Sequence, residues 1–185
     1  FSNGIVATVE PRSQITVSTF LQKPFDGGNQ KLSEIQTEPS SSQLSLNMDT
    51  GSLVVQTTKL DRTSSFIIQS PNGTAGIRGT DFQLSISSTG ETKLDVASST
   101  VSFTPSGGDP ILVTQGKGVD VSNAGGVNQR PIDPVIAVNI STKNAFASKI
   151  AGQIPLSTVK QAKVKAAAIA VLSKSVTSEQ ESNDE

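Results

Sequence analysis

The chain has 185 residues, which is enough for one domain with a substantial hydrophobic core, or for one domain and an appendage. Its 15 basic and 16 acidic residues give a formal net charge of −1, so nothing favours nucleic acid or an anionic membrane surface as a partner. The absence of cysteine and histidine excludes disulfides, thiolate metal sites, most catalytic triads and most zinc enzymes.

Apolar residues occur in short stretches and not in long runs. No stretch approaches the roughly 20 apolar residues that a membrane-spanning helix needs, so the sequence predicts no membrane span. Residues 1–4 resemble a strand that enters a turn, and we therefore expect the chain to lack an N-terminal piece. Without Trp or Tyr, the core must be built from Val, Ile, Leu and Phe, a composition that suits strands.

Alternation of apolar and polar residues, which is typical of half-buried strands, recurs throughout residues 4–122. Turn-forming residues place predicted turns at 11–13, 49–51 and 115–118, and a longer loop at 22–42. The apolar positions of the predicted strands are Ile5, Ala7, Val9, Ile15, Val17, Leu44, Leu46, Met48, Leu53, Val55, Phe66, Ile68, Phe82, Leu84, Ile86, Leu94, Val96, Val101, Phe103, Ile111, Val113, Val119 and Val121.

This pattern predicts an all-β domain over residues 1–122. Roughly eleven short strands follow one another at the 8–12-residue spacing of a sandwich, barrel or solenoid. No helical period appears before residue 135, so a parallel sheet with crossover helices is not expected.

The rest of the chain has a different pattern. Residues 123–134 contain paired Gly and two Pro and are predicted to be a linker. A helical extension is predicted over 135–185, where Ser141 caps a first helix that ends at Gly152. The apolar residues of that helix, four positions apart, are Phe146 and Ile150.

A second helix, rich in Ala and Lys, is predicted from residue 158 to 176 after a cap at Ser157. Its narrow apolar stripe predicts weak docking or contact with another chain. The polar and acidic end, residues 177–185, is predicted to fray.

The stretch 70–82 concentrates turn chemistry between two strand edges. Asn72 and Gly73 are predicted to supply the positive φ angles of a tight turn. Gly76 and Gly79 are predicted to let the backbone pass close to neighbouring strands.

One basic residue, Arg78, lies at the centre of this stretch. Its guanidinium offers five donors, and Asp81 is near enough in sequence to pair with it. The sequence predicts that Arg78 binds backbone carbonyls and fixes strand register; the alternative is that Arg78 binds a partner. The residues predicted to form the structural motif are Pro71, Asn72, Gly73, Gly76, Arg78, Gly79, Thr80, Asp81 and Phe82.

The run from Ser70 to Phe82, SPNGTAGIRGTDF, resembles the central signature of the bacterial FecR-like domain. That signature is a Thr/Ser-Pro pair, a few small residues, Ala-Gly-Val-Arg-Gly-Thr, an acidic residue and Phe. Residues 2–6 and 11–15 are similar to the upstream strands of the family. Residues 49–53 and 113–119 resemble a later strand and the closing hairpin.

The resemblance covers about residues 1–122 and implies an extracytoplasmic bacterial protein with stacked, solenoid-like or jelly-roll coils. The best-known relatives are membrane-spanning regulators of extracytoplasmic sigma factors that sense a TonB-dependent receptor. This chain shows no membrane span and no cytoplasmic helical region, and a helical tail stands where those regulators carry a further small domain. Stand-alone secreted or surface relatives are therefore the nearer comparison.

Other motifs have structural interpretations. Gly116-Lys117-Gly118 lacks the spacing of a phosphate loop and predicts a hairpin turn. Gly107-Gly108-Asp109 resembles half of a calcium repeat, but no second copy or acidic cluster accompanies it. The glycosylation patterns at Asn72 and Asn139 are interpreted as chance matches, and nothing positions a Ser-Lys dyad. No metal or cofactor is predicted.

The sequence therefore predicts a non-enzymatic FecR-like module, periplasmic, secreted or on the cell surface, that serves as a scaffold or interaction unit for a protein or glycan. The first alternative is the sensory periplasmic part of a trans-envelope sigma-factor regulatory system. A further alternative is a self-assembling surface protein that forms homo-oligomers through open β edges or the C-terminal helix.

Overall fold

The computed structural model describes residues 1–158, which form one curved sheet of eleven strands and one α-helix. Two short 3-10 helices, Leu32–Glu34 and Leu156–Thr158, complete the regular structure of this part of the chain. The strands and the helix are β1 (Val6–Val9), β2 (Gln14–Gln22), β3 (Ser42–Gln56), β4 (Ser65–Ser70), β5 (Gly73–Ile77), β6 (Asp81–Ile86), β7 (Thr92–Ser98), β8 (Thr100–Pro105), β9 (Ile111–Thr114), β10 (Lys117–Val121), β11 (Val127–Pro131) and α1 (Pro134–Ala151).

The sheet folds over on itself into two halves that share β3. One half runs β11, β10, β7, β6, β3 and β1, and the other runs β9, β8, β5, β4, β3 and β2. Every neighbouring pair is antiparallel except β3 and β4, which are parallel. The all-β class with a helical extension is confirmed, but this pairing does not show the stacked coils of a solenoid.

The chain passes from one half of the sheet to the other six times, once through the longer connection between β3 and β4 and five times at a tight corner. Four corners are the short connections between β1 and β2, β5 and β6, β7 and β8, and β9 and β10, and the fifth lies within β3. Each of these five corners contains a residue with a left-handed backbone conformation, which bends the chain from one half into the other. These residues are Arg12 (φ 62°), Gly51 (φ 99°), Gly79 (φ 125°), Ser99 (φ 58°) and Gly116 (φ 76°).

The corner inside β3 shows how a bend keeps one strand in a common core. Before Gly51 the even-numbered Leu44 and Leu46 are buried, whereas after it the odd-numbered Leu53 and Val55 are buried. The turn predicted at 49–51 is thus wrong as a strand boundary, because the bend shifts the alternation by one residue while the pairing continues on both sides.

Helix α1 forms a third layer on the outer face of the half that contains β7. Val54 is buried but lies outside the main core cluster, and its neighbours in register are Gln83 and then Asp95. Helix α1 contacts β3, β6 and β7, and the Asn139 side chain donates a hydrogen bond to Gln83 Oε1 at 2.8 Å. The buried residues of the helix are Ile140, Asn144, Ala147 and Ala151.

The predicted linker at 123–134 is corrected by the structure, because it contains β11, which pairs with β10. The helix begins at Pro134 and not after Ser141; the Asp133 carboxylate caps it by accepting a hydrogen bond from the Val135 amide at 2.8 Å. The predicted end at Gly152 is confirmed. The second predicted helix lies outside the described residues.

We predict that Gly51→Ala lowers the free energy of unfolding by about 3 kcal/mol, since strain and a clash combine. A Cβ at Gly51 would lie 2.3 Å from Ser13 Cα, at a φ of +99°. Gly107→Ala is the matched control, because Gly107 has a φ of +75° and no atom within 4 Å of the added Cβ, and it should cost about 1 kcal/mol. Denaturant unfolding measures both, and equal losses would contradict the close approach at the bend.

Candidate functional site

The motif at residues 70–82 spans the end of β4, all of β5, the corner after β5 and the start of β6. Pro71 and Asn72 form the turn between β4 and β5, and Gly73 opens β5. The motif therefore passes from one half of the sheet to the other. The sequence had indicated a turn between two strands, and the short strand β5 was missed.

Asn72 acts differently from the prediction, whereas Gly73 has the predicted positive φ, 156°. Asn72 does not have a positive φ; its side chain instead donates hydrogen bonds to the Gly90 carbonyl at 2.8 Å and to Asn123 Oδ1 at 3.0 Å. At Gly73 an added Cβ would lie 2.5 Å from the Thr104 carbonyl oxygen. Asn72 thus joins three turns at one end of the sheet, while Gly73 permits the close approach of β5 to β8.

Neither Gly76 nor Gly79 is needed for the predicted close approach, because an added Cβ would lie 3.7 Å from its nearest neighbour at Gly76 and 3.4 Å at Gly79, both ordinary contacts. Gly79 instead has a φ of 125°, which favours glycine. Thr80 follows in the buried part of the corner, and its amide donates a hydrogen bond to Thr57 Oγ1 at 2.5 Å. The corner is therefore fastened to the segment that follows β3.

Arg78 is exposed, and its guanidinium contacts the loop between β3 and β4. Nη1 donates hydrogen bonds to the carbonyls of Asp61 and Arg62, at 3.4 and 3.2 Å. The predicted ion pair with Asp81 is wrong, because the ion pairs of residues 1–158 do not include it. Arg78 therefore binds backbone carbonyls, but both belong to a loop, so its predicted effect on strand register stays a prediction.

Asp81 and Phe82 begin β6 on opposite faces of the strand. Phe82 is fully buried in the main core, while the Asp81 amide donates a hydrogen bond to Ser98 Oγ at 2.9 Å. Partial burial raises the pKa of the Asp81 carboxyl above its usual value, and a hydrogen bond from Ser98 opposes this effect. Asp81 therefore carries a charge in a place that is unfavourable for it.

A stronger polar cluster, which the sequence did not indicate, lies on the outer face of the sheet at the other edge. Arg130 of β11 binds Asp95 of β7 through two hydrogen bonds, Nη1 to Oδ1 at 2.6 Å and Nη2 to Oδ2 at 3.0 Å. Its Nε donates to both oxygens of Asp120 at 2.9 and 3.0 Å. The two carboxylates raise the pKa of Arg130 above its usual value, and the cluster links β7, β10 and β11.

Gly118 makes this cluster possible. It lies on β10, directly between Asp95 and Arg130 in the strand register. A Cβ at Gly118 would lie 2.5 Å from Arg130 Nη1 and 2.7 Å from Asp95 Oδ1. The Gly116-Lys117-Gly118 motif is thus a turn followed by a gap through which the guanidinium crosses one strand. The sequence does not reveal this role of Gly118, because residues 95 and 130 become neighbours only in the folded sheet.

A second buried polar cluster surrounds Glu38, which is 7% exposed. Its Oε2 accepts hydrogen bonds from Ser64 Oγ at 2.5 Å and the Asp61 amide at 2.9 Å, and its Oε1 accepts one from Ser42 Oγ. Asn3 Nδ2 donates to Ser42 Oγ at 2.9 Å. The carboxylate therefore joins three separate segments, and within residues 1–158 hydrogen bonds and not a cation satisfy it.

These arrangements hold strands and loops together; they do not assemble reacting groups. No group of three or more potential metal ligands occurs in the described part of the chain. Asn139, in one glycosylation pattern, uses its amide to bind Gln83, and Gly107-Gly108-Asp109 forms the turn between β8 and β9. Within residues 1–158 no helix is both long and apolar enough to span a bilayer.

Comparison with protein families tests the resemblance of this chain to the FecR-like domain. A family model described as FecR protein matches residues 1–102, more than half of the chain. This chain belongs to the FecR family. The match begins at Phe1 and extends into β8, so it contains the complete motif and most corners of the sheet. The similarity predicted from the SPNGTAGIRGTDF run is confirmed.

A solved structure shows the same fold. One crystal structure from Parabacteroides distasonis, described as a "putative anti-sigma factor" and determined at 1.65 Å, has a TM-score of 0.53 and 12% identity. The similarity covers 71% of this FecR-family chain and 53% of that structure, so the chain spans about half its length. A second structure with the same description, at 2.50 Å, has a TM-score of 0.45 and 10% identity over 70% of this chain and 61% of its own. No curated protein matches the sequence.

We predict that the two arginines differ in their contribution to stability. Arg130→Ala leaves Asp95, whose side chain is 5% exposed, without its cation, and should lower the free energy of unfolding by about 3 kcal/mol. Arg78→Ala removes hydrogen bonds from an exposed side chain and should cost about 1 kcal/mol.

Chemical denaturation of the two variants provides the measurement. The double variant Arg130→Ala/Asp95→Ala should be more stable than Arg130→Ala alone, because the buried charge is gone. An equal loss for Arg78→Ala and Arg130→Ala would show instead that the motif arginine is the main clamp of the sheet.

We also predict a dependence on pH that comes from Asp81. Since burial raises its pKa in the folded state, the folded protein binds more protons than the unfolded one between the usual pKa of about 3.9 and the raised value. The contribution of Asp81 to stability therefore falls as the pH rises through this window. Asp81→Asn should stabilise the protein at pH 7 relative to wild type, and this gain should vanish near pH 3.

Asp61→Asn is the control with the opposite sign. Hydrogen bonds from the hydroxyl and amide of Thr63 lower the pKa of Asp61, so its stabilisation is present at neutral pH and is lost in acid. Unfolding curves at several pH values measure both variants. A gain from Asp81→Asn that is the same at pH 3 and pH 7 would contradict the burial of that charge.

Proposed function

We propose that this chain is the sensory part of a bacterial regulatory system that controls a sigma factor across the cell envelope, and that it acts by binding protein. The observation that carries the proposal is the FecR family match over residues 1–102. The fold shared with the Parabacteroides structure supports it, since that protein is described as a "putative anti-sigma factor". The proposed location is outside the cytoplasm, where such a sensor meets its signal.

Binding without catalysis is supported by the side chains that the fold brings together. The sequence contains no His or Cys, and the acidic groups Asp95 and Asp120 are both held by Arg130. A cleft of about 500 Å³ beside Arg130 is lined by Ser85, Lys93 and the start of α1, and the Ser85 hydroxyl is already hydrogen-bonded to the Ser52 hydroxyl at 3.0 Å. We therefore place the proposed binding function on the outer surface of the protein.

The open edge of β9 is the partner surface that we favour. This strand ends its half of the sheet, so among the described residues it has a strand neighbour on only one side. Leu112, at its centre, is 67% exposed. An unpaired edge with an outward apolar side chain is suited to receive an extended segment of another protein as an added strand.

A scaffold or interaction unit that binds a protein or glycan is the second candidate. A cleft of about 320 Å³ near the end of α1 presents the amides of Gln36 and Gln56 and the hydroxyls of Thr57 and Ser148. Such groups form the hydrogen bonds that recognise sugars. A protein with this second function would bind its partner without any effect on transcription.

We predict that deletion of the gene in its native host changes the transcripts of one set of genes that share an alternative promoter. Leu112→Asp should reproduce at least part of this change, because a charge on an edge strand opposes strand addition. Val17→Asp is the control, since Val17 is a similarly exposed residue, 51%, on the distant edge strand β2. RNA sequencing of the four strains is the measurement. A deletion that leaves all such gene sets unchanged would contradict the regulatory function and favour the second candidate.

A further inference from the structure

Helix α1 has an apolar stripe on the side that faces away from the sheet. Four large apolar residues are exposed there: Val135 (74%), Val138 (66%), Phe146 (61%) and Ile150 (43%). A surface helix ordinarily presents polar residues to solvent on the side opposite its buried face. A continuous stripe of exposed apolar residues marks an interaction site.

The spacing of the stripe is nearly symmetrical about Thr142. Relative to this exposed residue, the apolar positions lie at −7, −4, +4 and +8. We propose that the stripe binds the same stripe of a second copy of this chain, with the two helices antiparallel and a two-fold axis at Thr142. Val138 of each copy then packs on Phe146 of the other, and Val135 packs near Ile150.

Small residues at the centre of the stripe suit this arrangement. Thr142 and Ala145 are exposed and lie between the two apolar pairs. Small side chains at the crossing point allow two helices to approach to the usual interaxial distance of about 8–10 Å. An interface of this kind is self-complementary, since the same patch serves on both copies.

The charges on the helix favour the antiparallel direction. Asp133 caps the amino end of α1, and Lys149 lies in the last turn. Lys143 is already paired with Glu10 of the same chain at 3.0 Å. In the antiparallel pair Lys149 of each copy approaches Asp133 of the other, and the helix dipoles oppose one another. A parallel pair would instead place Lys149 against Lys149.

The size of the stripe sets the strength of the contact. The stripe from Val135 to Ile150 extends for about 24 Å along the helix. One such helix buries roughly 400 Å² per copy, half of the roughly 800 Å² per partner found in standard interfaces. The dimer is therefore weak and forms at micromolar concentration or above. This inference does not depend on the regulatory function proposed above.

The first experiment is sedimentation of the full chain over a concentration range from about 1 µM to about 1 mM. We expect a monomer–dimer equilibrium whose dissociation constant rises at least about tenfold in Phe146→Glu, because a central aromatic anchor is lost. Val17→Glu, which charges a similarly exposed apolar residue on β2, should leave it unchanged. A dimer that is insensitive to Phe146→Glu would overturn the proposal.

The second experiment uses the absence of cysteine from the chain. Thr142→Cys should form a disulfide between copies under mild oxidation, since its Cα atoms meet at the two-fold axis within bonding reach, below about 7 Å. Val138→Cys should not crosslink to itself but should crosslink to Phe146→Cys. Val17→Cys is the exposed control. A chain that remains monomeric throughout, as when residues 159–185 or another protein cover the stripe, or equal crosslinking of Thr142→Cys and Val17→Cys, would refute the dimer.

Discussion

The architecture depends on a backbone constraint, the left-handed residue at each corner of the folded sheet. β3 continues through its corner and contributes to both halves, and at the other corners one strand ends and the next begins in the opposite half, so the main hydrophobic core lies between the two halves. Gly51 shows the requirement most clearly, because both its φ of 99° and its contact with Ser13 exclude a side chain. Arg12 and Ser99 adopt the same conformation with side chains, at some cost in strain.

The ion pairs of Arg130 hold the strands next to α1 together, as the corners hold the two halves of the sheet around the core. They fix the last described strand, β11, to β10 and β7, and α1 begins at Pro134, three residues after β11 ends. Because Asp95 is almost fully buried, its charge is tolerated only while the guanidinium stays in the gap above Gly118. The position of the helix therefore follows from a contact between residues 35 positions apart.

Much of the fold could be predicted from alternation, because a strand with one buried face shows a period of two. The two strands that were not predicted lack that alternation. β5 consists mostly of Gly, Thr and Ala, and β11 is polar and exposed. Both are strands because they pair with neighbouring strands, which their own sequences do not reveal. The start of α1 was misplaced because the apolar run after Pro134 concealed the cap at Asp133. The role of Arg78 as a ligand for carbonyls could be anticipated, whereas its partners and the Arg130 cluster could not, since no local pattern relates residues distant in sequence.

The small apolar area that α1 buries against the sheet affects which part of the protein unfolds first. Ile140 is the only large apolar residue on a buried face otherwise made of Asn144, Ala147 and Ala151, so this layer contributes little area to the core. Local unfolding of the helix should need less free energy than opening of the strands, and amide hydrogens of α1 should exchange faster than those of β3 and β6. Local unfolding of α1 exposes Val54 and the side-chain amide of Gln83, while the main core between the two halves of the sheet stays buried. The outer face of the sheet is thus a latent surface, present in the folded protein but accessible only in a minor state.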